Sequence, residues 1–141
     1  MSESLSEYKD NKIKDYTYWE VYLHKNQGYL GRCYVWCKRA DALDLPDATL
    51  EEREELFVVL RDMEDAINKA FNPDILNYAF LGNITHHLHG HIIPRYAKPV
   101  IFEGVEFTDE KYGHNYQTNT DFKVSLEDFK KIQNHLTKFL A

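Results

Sequence analysis

The run His87-Leu88-His89-Gly90-His91-Ile92-Ile93 constrains the fold more than any other stretch of this chain. Its period of two is that of a β-strand, in which alternate side chains share a face. A strand from His87 to Ile93 sets His87, His89 and His91 in a row on one face and turns Leu88, Gly90 and Ile92 to the other. Neighbouring members of the row then stand about 6.7 Å apart along the backbone, and the outer two about 13 Å apart. Such a strand needs partners in a sheet and a core against its apolar face.

The partners are legible on both sides. Ile75 to Leu81 reads as a strand closed by the turn Gly82-Asn83, which makes it the hairpin partner of the histidine strand. Upstream, Tyr16 to His24 is rich in aromatic and β-branched residues, Asn26-Gln27-Gly28 offers a turn, and Tyr29 to Lys38 gives a second strand. Thr49 with Glu52 has the form of a capping box, and Leu56, Leu60, Met63, Ile67 and Phe71 then recur as one helical stripe until Pro73 ends it. Ser125 and Asp128 open a last helix carrying Phe129, Ile132, Leu136 and Phe139, and residues 97–120, with Gly104 and Gly113, read as irregular. Strands that arrive as hairpins, with helices between and after them, predict an α+β fold: an antiparallel β-sheet with a main helix and a C-terminal helix packed on it. Residues 1–15 are expected to be a loosely ordered N-terminus and residues 16–141 a single domain.

Composition narrows the function classes. With 141 residues, 43% of them hydrophobic, the chain can fill one core. It has no run of about 18 apolar residues for a membrane span, and its polar, acidic start lacks the pattern of a signal peptide, so a cytoplasmic location is expected. Cys33 and Cys37, four apart on a strand, lie too far apart for a disulfide and read as reduced, buried side chains. A formal net charge of −6 argues against binding long nucleic acid, which rests on neutralising many phosphates. A small anionic ligand needs only a local pocket.

The row of histidines has three readings. It can be the polar outer face of a half-exposed strand. It can hold a metal with further ligands such as His24, His114 or carboxylates, although three histidines along one strand converge poorly on one ion at about 2 Å. It can lie along a polyphosphate chain, where neutral imidazole attacks phosphorus through one nitrogen or donates to a phosphate oxygen when protonated. The residues favour the third, with no cofactor and no tightly bound metal.

The row followed by two apolar residues resembles the signature of the histidine triad (HIT) family. The flanking Asn77-Tyr78-Ala79-Phe80-Leu81-Gly82-Asn83 and Pro94-Arg95-Tyr96 are similar to that family too. Phe102 to Asp109 and Tyr112 to Tyr116 resemble a bacterial and archaeal branch of small HIT proteins. The resemblance implies that His89 is the nucleophile and forms a covalent nucleotidyl phosphoramidate, its other nitrogen donating to a backbone carbonyl. It implies that His91 contacts the transferred phosphate or leaving oxygen and that His87 supports the site. The activity implied is that of a hydrolase or nucleotidyl transferase acting on a dinucleoside polyphosphate, a phosphoramidate or an adenylylated compound. A nucleotide-binding module with little turnover and a metal-dependent hydrolase remain as alternatives. Family members pair through the main helix and an adjacent strand, so a homodimer is expected.

Two positions depart from the pattern. Arg32 stands where many relatives carry a further histidine, and arginine can hold a phosphate but cannot accept a proton. Gly90 stands where the signature carries an apolar or bulky residue, which either lowers packing on the back face or lets another backbone approach closely. Asn83, Arg95 and Arg32 are the candidates for substrate contacts. His86 is read as non-catalytic, His24 and His135 as incidental, and His114 takes no role.

Overall fold

The computed structural model describes residues 10–140. Its elements run β1 (Lys12–Asp15), β2 (Trp19–Leu23), β3 (Cys33–Cys37), a 3₁₀ turn (Leu45–Asp47), α1 (Leu50–Phe71), β4 (Ile75–Ala79), β5 (His89–Arg95), β6 (Val100–Phe102), β7 (Val105–Phe107) and α2 (Leu126–Thr137). Five strands form one sheet in the order β1-β2-β3-β5-β4, and every neighbouring pair is antiparallel. The architecture is the α+β one expected. No helix among the described residues is long and apolar enough to cross a membrane.

Alternation along β2 and β3 decides which face is the core. Trp19, Val21, Leu23, Cys33, Val35 and Cys37 are fully buried, whereas Glu20, Tyr22, Tyr34 and Trp36 between them are half-buried. Both cysteines are free. The helices cover the core face, α1 with Leu56, Val59, Met63, Ala66 and Ile67, α2 with Phe129, Ile132 and Leu136. Each large side chain buried this way contributes about 1.5–3 kcal/mol. The Thr49–Glu52 capping box forms, and Asn72 in the left-handed region caps the other end of α1 ahead of Pro73. Polar anchors fix the helix on the sheet. Trp19 Nε1 donates to the Glu52 carbonyl at 2.9 Å, and the Glu55 carboxylate accepts from the N–H groups of Tyr18 and Trp19.

Several boundaries differ from the sequence reading. Residues 12–15, expected to be loose, pair with β2 as strand β1, while residues 1–9 lie outside the described residues. Strand β3 begins at Cys33, not Tyr29. Gln27, 1% exposed, donates to the carbonyls of His24 and Arg32 and accepts from Gly31 N–H, which curls residues 24–32 into a compact connection. Gly31 there has φ +88, and a Cβ on it would meet the Phe71 ring at 2.8 Å. Residues 97–120 are not wholly irregular: β6 and β7 form a hairpin around Glu103-Gly104, both at positive φ, as a tight two-residue turn requires. Strand β5 starts at His89, which leaves His87 in the bend before it.

Candidate active site

The face of the sheet opposite the helices carries two cross-strand ladders, Glu20–Trp36–His89 and Tyr22–Tyr34–His91. His87, although off the strand, folds back to join them. Its ring stacks on Trp36 with centroids 4.1 Å apart, and its Nε2–H donates to the Cys37 carbonyl at 2.6 Å. His89 lies 5.6 Å from Trp36 and 5.3 Å from His91 between ring centroids. The row predicted from the alternation is therefore present, with its first member held by a bend rather than by strand pairing.

His89 Nδ1 lies 2.6 Å from the His87 carbonyl oxygen. A carbonyl oxygen only accepts, so Nδ1 carries the proton and Nε2 keeps its lone pair. That is the tautomer a nitrogen nucleophile needs. Beyond His91 the cluster continues to His24, whose ring centroid is 5.7 Å away. His24, expected to be incidental, thus lies beside the last histidine of the row. The signal was available, because Leu23 faces the core and the next residue shares the face of Tyr22. Burial, then Arg32, then His91 push the His24 pKa down to about 3. Burial, then Arg32, then His89 push that of His91 down to about 4.

Arg32 comes to the row, and it is only 3% exposed. Its Nη1 donates to Thr118 Oγ1 at 2.7 Å, its Nη2 reaches His91 Nδ1 at 3.4 Å, and its guanidinium stands 5.1 Å from the Tyr116 ring centre. Its buried Nε has no partner. Arg95 is placed differently. It is 2% exposed, clamps Asp109 through Nε at 2.7 Å and Nη2 at 3.2 Å, and gives Nη1 to Asn77 and to the His114 carbonyl. With those groups engaged, it ties the chain after β7 to β5. Asn83 lies in the exposed connection after β4 and makes no side-chain hydrogen bond among the described residues. His86 is exposed, 3.5 Å from Asp44, and His135 donates from Nε2 to the Ala70 carbonyl amid Phe71, Phe102 and Phe139. Among the described residues no three histidine, cysteine or acidic side chains are grouped to hold one metal ion. A groove of about 510 Å³, lined in part by Tyr29, Lys111, Gln117, Thr118 and Phe122, adjoins Arg32 through Thr118. The row histidines do not line it, so their own geometry, and not the size of a cavity, marks the candidate site.

Residues 6–98 match the model of the HIT domain. The chain belongs to the HIT family. Comparison with curated proteins gives no match. Among solved structures, a histidine triad protein from Bradyrhizobium japonicum is similar at TM-score 0.69 and 19% identity, over 94% of this chain and 93% of that one. A hypothetical histidine triad nucleotide-binding protein from Sulfolobus tokodaii is similar at 0.67 and 18%, over 99% and 91%. Plasmodium falciparum diadenosine triphosphate hydrolase is similar at 0.65 and 15%, over 93% and 76%. These likenesses show a shared fold.

Within the HIT pattern, the glycine at position 90 has a physical cause. A Cβ on Gly90 would stand 2.4 Å from Phe80 Cε2 and 2.5 Å from Cζ. Phe80, just past the end of β4, fills the space that a side chain at 90 would take, so this HIT chain supplies the apolar group from a neighbouring segment.

Proposed function

We propose that this HIT protein is a nucleotide hydrolase or nucleotidyl transferase in which His89 attacks the phosphorus of a nucleoside phosphate. The observation that carries the reading is the 2.6 Å bond from His89 Nδ1–H to the His87 carbonyl, which reserves the Nε2 lone pair for attack. Nε2 forms a bond to phosphorus as the bond to the leaving group breaks. The leaving oxygen of a polyphosphate, or the leaving nitrogen of a phosphoramidate, departs with the electron pair of that bond. Water then attacks the phosphoramidate, takes the nucleotide and returns His89 to its neutral state. Two easier displacements replace one hard one. His91 stands next to the transferred phosphate as a hydrogen-bond partner, and Arg32 adds a fixed positive charge behind it. His87 acts through its carbonyl and through its stack on Trp36. Tyr22 and Tyr34, stacked at 5.1 Å beside His91, offer an aromatic platform for a base. Dinucleoside polyphosphates, nucleoside phosphoramidates and adenylylated compounds are the candidate substrates, and the similarity in fold to a diadenosine triphosphate hydrolase supports the first.

The test is His89→Ala assayed on a dinucleoside polyphosphate and on a nucleoside phosphoramidate. Turnover is expected to fall by roughly four orders of magnitude, about 5.5 kcal/mol of barrier, with the fold retained. Near wild-type turnover by the variant on either substrate would refute the proposal.

A further inference from the structure

Arg32 is an unusual arginine. It is 3% exposed, its Nε has no partner, and no carboxylate pairs with it among the described residues. A buried cation without a counterion is costly to hold, so its contacts with the site call for a chemical account. A guanidinium carries five N–H donors and no acceptor. The 3.4 Å contact between Arg32 Nη2 and His91 Nδ1 therefore has one polarity: Arg32 donates and His91 Nδ1 accepts. A neutral imidazole has a single N–H, which must then sit on Nε2 of His91. His89 is fixed the other way round, with its proton on Nδ1.

We infer that Arg32 is a positioning residue that locks His91 as the neutral Nε2–H tautomer, so that the row presents a nucleophilic lone pair on His89 beside a hydrogen-bond donor on His91. Its use in catalysis rests on the reading of His89 as nucleophile; the tautomer itself does not. The surroundings act in the same direction. His91 is faced by His24 from the connection after β2, by Tyr34 from β3, by His89 on its own strand and by Arg32, and none of these brings a negative charge at neutral pH. Burial and Arg32 hold the His91 pKa down to about 4, so the ring donates without being protonated. Arg32 is itself aimed by Thr118 Oγ1 and by the Tyr116 ring. An arginine, unlike a histidine, keeps its charge throughout the neutral range.

Long-range proton–nitrogen NMR of the histidine rings reads tautomers directly, without any turnover. In the ¹⁵N-labelled wild-type chain at neutral pH, with rings assigned from single His→Gln variants, His89 is expected to show the Nδ1–H pattern and His91 the Nε2–H pattern. The His91 pattern should persist as the pH is lowered to about 5. Arg32→Gln, whose amide can donate the same bond without the charge, should keep the tautomer and raise the His91 titration midpoint by about one pH unit or more. Arg32→Leu should release His91 to a mixture of tautomers. A wild-type His91 protonated on Nδ1, or charged at pH 7, overturns the inference, as does an unchanged His91 pattern and midpoint in both variants. The wild-type spectrum decides the tautomer whether or not the variants fold. A chain with the expected tautomers whose turnover survives His89→Ala would sink the nucleophile and leave the Arg32–His91 lock standing.

Discussion

Replacing Gly90 with alanine sets this structure against ordinary strand propensity. Glycine inside a strand usually costs about 0.5–1 kcal/mol relative to alanine, so the bare expectation is stabilisation. Here the new Cβ would lie 2.4, 2.5 and 2.7 Å from three Phe80 ring carbons. Comfortable carbon contacts are about 3.5–4.0 Å, so ring and backbone must separate by about 1 Å or more. β5 cannot retreat, being paired to β3 at Val35↔Gly90 and to β4 on its other side. The Phe80 ring must move instead, and it forfeits part of its packing on the core. Overpacking of this kind costs about 1–3 kcal/mol, which outweighs the propensity gain and leaves the variant about 1–2 kcal/mol less stable. Urea unfolding followed by circular dichroism should show a lower midpoint with an unchanged slope. In a Phe80→Ala background the same Gly90→Ala change should become neutral or stabilising, a coupling of opposite sign between two residues in contact. A Gly90→Ala chain at least as stable as the wild type would refute the reasoning.

Arg95→Leu strands the Asp109 carboxylate, whose side chain is 1% exposed, without its cation. The expected loss is about 3–5 kcal/mol of stability, measured by urea unfolding, and a loss below 1 kcal/mol would contradict the clamp. Acid should unfold the protein early, because His24 and His91 titrate at about 3 and about 4 when folded, below the ordinary histidine value. The unfolded chain then binds more protons below pH about 6.5, so stability is full above that value and falls as the pH drops, by about 1–3 kcal/mol for the two partly exposed rings at pH about 5. A midpoint that depends on pH no more steeply than in His24→Gln/His91→Gln would contradict this. A homodimer is expected: β4 is an edge strand with Ile75 and Tyr78 exposed, and Phe57 and Val58 stand exposed on α1. Light scattering should give twice 16.7 kDa at micromolar concentration, and a clean monomer would refute it.

Local chemistry was the legible part of this chain. Thr49, Glu52 and Pro73 set the ends of α1, and strict alternation through Gly90 and His91 placed the row on one face. The hairpin β6–β7 was missed: Val100 and Phe102 alternate up to Glu103-Gly104 and Val105 and Phe107 leave it, but the strands are three residues each and the glycines around them read as irregular sequence. The start of β3 was missed too. Tyr29 and Leu30 have strand-like side chains, and the three hydrogen bonds of the buried Gln27 side chain, with Gly31 at positive φ, turn them into a bend. Arg32 could be placed beside a phosphate site from its position, but its burial and polarity depend on Thr118, 86 residues away in sequence. Arg95 looked equally free until Asp109 came to it from the chain after β7.

The central claim is that His89 carries the nucleotide during turnover, and the adduct itself tests it most directly. The protein is mixed with a dinucleoside polyphosphate or a nucleoside phosphoramidate at neutral pH, quenched during turnover without acid, digested and examined by mass spectrometry. The account predicts an acid-labile nucleotide on the peptide containing His89, absent from His89→Ala. Turnover with no adduct on that peptide, or with the nucleotide on another residue, would contradict it.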